Sequence, residues 1–289
     1  MAEKFIKNVH DLRDNLKKIF PENDVSIIPS VSIQATTLDD LYFKTIVSCL
    51  KHGRLYKIDS GSYSGSHRIE FDEANLYVTN PTARPLAPIP RQGIPVSTND
   101  EKIAEYFLTY LMDGRLEPNE HYKYSSWIVG MPREVNLEHK GVQRGTRLNQ
   151  LEWCMNHFLE DGYGTNHCYI TVGCAEGLQR YDWSEKGCSD AEKGSTECLR
   201  GISLKIKDHR LNLKCIFRSW DLIGGLPENL GGLTMLMEYI VDSINDRKKP
   251  GMPEIKTGIL YASSDGLHIY EHHLDLAKLW TNIVDDKSK

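Results

Sequence analysis

The stretch Ile202 to Phe217, ISLKIKDHRLNLKCIF, alternates apolar and polar residues on both sides of Lys207-Asp208-His209-Arg210. That is the pattern of two half-buried strands joined by a tight turn, so the chain must build a sheet around a long hairpin. The hairpin also dictates a meeting. Its outgoing and returning strands are about equally long, so Cys198, just before the first, comes back beside Arg218, just after the second.

Helical periodicity surrounds this hairpin. Residues 39–52 run to Gly53, a helix stop. Residues 100–112 align Ile103, Phe107, Leu108 and Leu111, and residues 148–160 align Leu148, Leu151, Met155, Phe158 and Leu159. The longest helix is predicted from about Asn229 to Asn245, with Leu233, Met237, Ile240 and Ile244 in line. Further strands are predicted at 25–34, 167–173 and 257–262. Long helices mixed with hairpin strands point to an α/β or α+β enzyme on one mixed sheet. Thr79 to Thr98 holds five of the twelve prolines and reads as an extended surface connector. It divides residues 1–98 from 99–289, either inside one domain or between two.

Composition excludes several classes. Lys and Arg total 35 against 40 Asp and Glu, a formal charge of −5, which lacks the basic excess of a dedicated nucleic-acid binder. There is no apolar run long enough to cross a membrane, and the charged N-terminus has no signal-peptide core. The seven cysteines, at 49, 154, 168, 174, 188, 198 and 215, form no CxxC pair. They are expected to be free thiols in a reducing cytoplasm. His268 and His272 stand four apart on a possible helix, but without a third ligand at fitting spacing no metal is expected.

Glu197 to Asn229, ECLRGISLKIKDHRLNLKCIFRSWDLIGGLPEN, carries the chemistry. A guanidinium beside a thiol favours thiolate, the form that acts as a nucleophile, and it also suits a phosphate. Gly224 and Gly225 allow close approach of backbone to a ligand.

This segment resembles the thymidylate synthase and pyrimidine-nucleotide hydroxymethylase family, whose pattern is a nucleophilic Cys, then Arg-Ser-x-Asp, then Gly-x-Pro-x-Asn. Arg218, Asp221 and Asn229 follow Cys198 by 20, 23 and 31 residues, the family's separations. Asp265-Gly266-Leu267-His268-Ile269-Tyr270 resembles the family's His-x-Tyr; Tyr122-Lys123-Tyr124 and Asn149-Gln150 are similar to its Tyr-Gly and Asp-Gln elements. The short region before Tyr124 is most like the archaeal-type branch. The resemblance implies a single-domain thymidylate synthase-like α/β (α+β) fold, a mixed sheet with flanking helices, residues 1–98 belonging to the same domain as a catalytic core at 99–289. It also implies a homodimer packed through its sheets.

The implied activity is C5 methylation of dUMP to dTMP, with 5,10-methylenetetrahydrofolate as co-substrate. Cys198 would add to C6 of the base. Asn229 would read O4 and N3–H, since a carboxamide both donates and accepts. Arg218 and Ser219 would face the phosphate, His268 and Tyr270 the ribose, Asp221 and Gly225 the folate. Glu105 resembles the family's helical Glu that removes protons through water, and Tyr124 would assist proton transfer at C5. Trp220 is placed to pack on a ligand. The runner-up is C5 hydroxymethylation of a pyrimidine nucleotide (dUMP, dCMP or CMP), and the third reading is a non-catalytic nucleotide-binding homologue.

Three departures stand out. Where the family presents a phosphate-binding arginine pair, this chain has Tyr163-Gly164-Thr165-Asn166-His167. Asp59 to Arg68 replaces an Arg-Thr-Gly-Thr-Gly loop; its Gly and Ser backbone could cradle an anion with Arg68 as the charge, so either Arg68, Arg200 and His167 compensate for the missing arginines or the substrate differs from a plain 5′-monophosphate. The chain runs only 19 residues past Tyr270, too few for the family's closing tail, which leaves hydroxymethylation by water open.

Overall fold

The structure, a computed structural model, describes residues 29–59, 63–90, 92–117, 120, 122–183 and 196–281. It forms one α/β domain. Residues 25–28 of the expected first strand, Cys188, positions 60–62 of the Gly/Ser loop and the final residues 282–289 lie outside the described residues.

The main sheet is mixed and six-stranded. Its strands are β1 (Ser30–Ala35), β4 (Glu73–Val78), β7 (Tyr169–Thr171), β8 (Leu199–Lys207), β9 (Arg210–Phe217) and β11 (Lys256–Ser264), in the order β1-β4-β11-β9-β8-β7. β1 lies parallel to β4 and β9 parallel to β11, while the other neighbours are antiparallel. The predicted hairpin is β8–β9. Asp208 and His209 carry φ of 48° and 57°, the two-residue turn whose twist matches that of its strands.

Periodicity missed a second, four-stranded sheet of β2 (Arg54–Lys57), β3 (His67–Phe71), β10 (Trp220–Asp221) and β12 (Leu267–Tyr270), ordered β10-β12-β3-β2. Its strands are two to five residues long, too short for a period to register. His268 is therefore on a strand, and His272 lies in the 3₁₀ turn that follows, so the two do not share a helix. A two-residue pair, β5 (Glu138–His139) and β6 (Val142–Gln143), completes the strands described.

Among the described residues five α-helices flank the sheets: α1 (Leu38–His52), α2 (Asp100–Tyr106), α3 (Gln150–Asp161), α4 (Gly225–Arg247) and α5 (Leu274–Thr281). Thr37, Asn99 and Asn149 cap α1 to α3, each side chain accepting an N–H that the first turn leaves unpaired. α4 begins four residues before the expected Asn229. Pro227 looks like a break, but in a first turn its missing N–H is one the helix does not use.

α2 ends at Tyr106 and continues as a wider π-helical turn, Phe107–Leu111. The extra residue rotates the face, so Leu108 points to solvent although the straight period predicts it inside. Leu148 is exposed too, because it precedes the cap of α3. α2 packs closely on α4 at Gly231 and Gly232, where a Cβ would lie 2.7 Å from Ile103 and 2.5 Å from the Tyr106 ring. The long apolar face of α4 buries Leu230, Leu233, Leu236, Met237, Ile240 and Ile244 in the core. The opposite face of the main sheet is open. It carries Tyr77, Lys205, Lys207, Arg210, Lys214 and Tyr261 around a concavity of about 610 Å³. Among the described residues no helix is long and apolar enough to cross a membrane.

Candidate active site

The hairpin does what its length demands. The backbone N–H of Arg218 donates to the Cys198 carbonyl at 2.9 Å, and Arg218 Nη2 lies 3.7 Å from Cys198 Sγ. Arg218 also donates from Nε to the Glu197 carbonyl (3.1 Å) and from Nη2 to that of Thr196 (2.7 Å). The guanidinium thus braces the loop that carries the thiol. Among the described residues no hydrogen bond is made by its Nη1 group, whose two N–H donors can meet an anion. Cys198 is half-buried and accessible, whereas Cys49, Cys154, Cys168 and Cys215 are buried and Cys174 is half-buried.

Beneath this loop sits a charge pair that sequence reading did not single out. Arg180 and Glu197, both 0% exposed, meet at 2.9 Å. Trp127 Nε1 donates to the same Glu197 oxygen at 2.8 Å, and Arg180 Nη2 donates to the Gln143 carbonyl at 2.6 Å. The residue immediately before the thiol is therefore anchored in the core. Arg200 Nη1 stands 3.7 Å from the other Glu197 oxygen and partly exposed, the one further cation beside this loop among the basic groups considered from sequence.

Tyrosines surround the thiol. Tyr124 lies within electrostatic reach of Cys198, and its hydroxyl accepts the Leu199 N–H at 3.3 Å. Tyr122 and Tyr110 also feel the sulfur. Tyr110 stacks on Tyr106 (5.3 Å) and meets Tyr124 edge-on (5.1 Å). Burial pushes all four phenols well up, so they stay protonated and serve as neutral O–H groups.

Asn229 reaches this cluster from α4. Its Oδ1 accepts from Trp220 Nε1 at 2.8 Å, and its Nδ2 donates to the Tyr106 hydroxyl at 2.9 Å. Glu105 does not join them: it is exposed on the outer side of α2, and the next residue, Tyr106, faces inward instead. A local sequence match cannot resolve a one-residue rotation of a helix. The spacing of Tyr106 and Tyr110, four apart on one face, was the available signal. Trp220 is not an exposed platform. It is buried and stacks on Phe217 at 3.9 Å, with 8° between the rings.

The second sheet supplies the remaining groups. β10 and β12 pair Asp221 with His268, and β12 and β3 pair Tyr270 with Arg68. Asp221 Oδ1 accepts the Ile223 N–H at 2.9 Å. A Cβ on Gly224 would come within 2.8 Å of Asp221 Oδ2, so this glycine makes room for the carboxylate. Gly225 opens α4, and a Cβ there would meet only ordinary contacts. Ser219 is half-buried in the turn between β9 and β10. His268 lies 3.0 Å from the Gly266 carbonyl through Nδ1, which therefore carries the proton, and burial lowers its pKa to about 4. Its Nε2 is buried and has no hydrogen-bond partner among the described residues, a lone pair awaiting a donor. Burial raises the Tyr270 phenol to about 12.

Two anion-binding expectations change. Arg68 is already paired with Glu70, Nε to Oε2 at 2.7 Å and Nη2 to Oε1 at 3.2 Å. The described part of the Asp59–Arg68 loop also holds an internal anion, since Ser66 Oγ (3.0 Å) and the His67 N–H (2.8 Å) both donate to Glu271 Oε2. At the site of the missing arginine pair, His167 Nδ1 faces His157 Nε2 at 3.0 Å, and His157 Nδ1 contacts Asp161 at 2.6 Å.

No known family model matches the chain. A protein of Methanosarcina barkeri named "Putative thymidylate synthase" is 32% identical over 253 residues, 87% of this chain and 94% of that one. A protein of the same name from Methanosarcina mazei is 23% identical over 254 residues, with the same coverage. Among solved structures, thermostable thymidylate synthase A from Bacillus subtilis superposes with a TM-score of 0.55 at 13% identity, over 86% of this chain and 84% of that one, a likeness of fold. With a 32% identical relative matched over nearly its whole length, on a fold of this type, the chain belongs to the thymidylate synthase family.

Proposed function

We propose that the protein methylates C5 of dUMP, using methylenetetrahydrofolate as co-substrate, with Cys198 as the nucleophile. The observation that carries this reading is the convergence of Cys198 Sγ, the Arg218 guanidinium and the Asn229 carboxamide, from three separate segments, on one tyrosine-lined site. Cys198 adds to C6 of the uracil, and the electron pair moves to C5 and O4. Asn229 offers an N–H to O4 and an oxygen to N3–H, stabilising the enolate. The neutral Tyr124 hydroxyl passes protons at C5, with water in the role first given to Glu105. The Nη1 group of Arg218 and the Ser219 hydroxyl face the phosphate. His268 Nε2 accepts the ribose O–H, with Tyr270 beside it.

The co-substrate supplies the one-carbon unit and, for methyl transfer, the hydride. The site fits a pterin at Asp221, whose half-buried carboxylate is the acceptor that pterin N–H groups need. Two copies are proposed to pair through the open face of the main sheet.

The test uses dUMP tritiated at C5, with methylenetetrahydrofolate. Tritium release, dTMP and dihydrofolate are expected together, and Cys198→Ser should lose all three while melting like the wild type. A product heavier by a hydroxymethyl group, without dihydrofolate, would replace methylation with hydroxymethylation. Turnover retained by Cys198→Ser would remove the mechanism.

A further inference from the structure

Asn229 is gripped from both sides. An indole N–H only donates, so the Asn229 atom facing Trp220 Nε1 at 2.8 Å is the oxygen. The amide nitrogen then faces the Tyr106 hydroxyl at 2.9 Å. Neither grip can swing. The Trp220 ring is 2% exposed and stacked on Phe217, and the Tyr106 ring is seated where Gly232 has no side chain. Turning the carboxamide by half a revolution would set its NH₂ against the indole N–H and leave a buried donor unpaired. That disfavours the turned state by roughly tenfold to a hundredfold.

We propose that Trp220 is a positioning residue that gives Asn229 a fixed polarity, with the Tyr106 hydroxyl, which can donate or accept, seating the carboxamide without setting its sense, so that Asn229 takes a uracil ring and rejects a cytosine ring. This rests on the reading of Asn229 as the group that faces the base. Uracil presents N3–H and the O4 carbonyl; cytosine presents the inverse, an N3 acceptor and an N4 amine. A carboxamide free to turn serves both equally. With the ring pinned by Cys198 at C6, one fixed orientation matches only one of them. The remaining Oδ1 lone pair and the second Nδ2 hydrogen do the reading, because the first of each is held by Trp220 and Tyr106.

Calorimetric titration of the full chain with dUMP and with dCMP tests this, using wild type, Trp220→Phe, Tyr106→Phe and Asn229→Ala. Trp220→Phe keeps a ring on Phe217 and deletes only the donor. The wild type should favour dUMP by about tenfold or more, from the orientation preference above. Trp220→Phe should bring that ratio toward unity chiefly by improving dCMP binding, a gain that a merely loosened core does not produce. If Trp220→Phe fails to fold, Trp220→Leu, which also removes the indole donor, must show the same drift; Tyr106→Phe, which leaves that donor in place, should keep the wild-type ratio. A wild-type ratio kept when the Trp220 donor is removed but lost in Asn229→Ala overturns the lock while leaving Asn229 as the reader. A ratio unchanged in Asn229→Ala overturns the reading of Asn229 itself.

Discussion

Replacing Arg180 with Met deletes a buried charge and leaves a carboxylate behind, which makes it a sharp test of what holds the nucleophile loop. Arg180 and Glu197 are fully buried and 2.9 Å apart. Without the guanidinium, Glu197 keeps the Trp127 N–H at 2.8 Å and Arg200 only at 3.7 Å. Breaking one side of such a pair costs about 3–5 kcal/mol, mostly the desolvation of the orphaned ion. For a domain of this size that is a fall of roughly 6–20 °C in Tm. Glu197→Gln should cost a similar amount. The double variant Arg180→Met/Glu197→Gln should recover most of the loss, because no unpaired charge remains. Urea and thermal melts of the four proteins close the cycle. Activity should fall in each single variant, since the Glu197 carbonyl receives Arg218 Nε and Cys198 follows directly. Single variants within about 1 kcal/mol of wild type, or a double variant no better than the singles, would refute this account.

Acid stability should report on His268. Its pKa is lowered from the usual 6.5 to about 4 by burial, so between those values the unfolded chain binds a proton that the folded one refuses. Stability from this group is complete above about 6.5 and is lost as pH falls toward 4, at most about 3 kcal/mol. Burial raises Glu70 and acts in the opposite sense, so the informative quantity is the difference between wild type and His268→Asn in Tm against pH. Equal slopes in the two proteins would exclude His268 as a source of acid lability. Light scattering should give about twice the 33.0 kDa chain mass if the open sheet face pairs two copies, and a mass of one chain would refute that pairing.

The α/β class, the β8–β9 hairpin with its turn inside Lys207–Arg210 and the meeting of Cys198 with Arg218 were all legible in the sequence. They depend on local alternation and on equal strand lengths, which a one-dimensional pattern contains. Three helices were placed within a few residues for the same reason. α4 starts ahead of its apolar period because Pro227 is tolerated in a first turn, and the inward face of α2 departs from a straight period because a π turn follows Tyr106.

Tertiary structure decided the rest. Glu105 and Tyr106 are neighbours in sequence, and only the packing of α2 on Gly231 and Gly232 settles which of them faces Asn229. Arg68 reads as a free cation until β3 sets it against Glu70, and Trp220 reads as a ligand platform until it is stacked on Phe217 and bonded to Asn229. Residue type and spacing determined which chemical groups this chain can bring to a site. Which of those groups are already satisfied by other groups of the protein, and which remain for a ligand, depends on long-range contacts that no local pattern encodes.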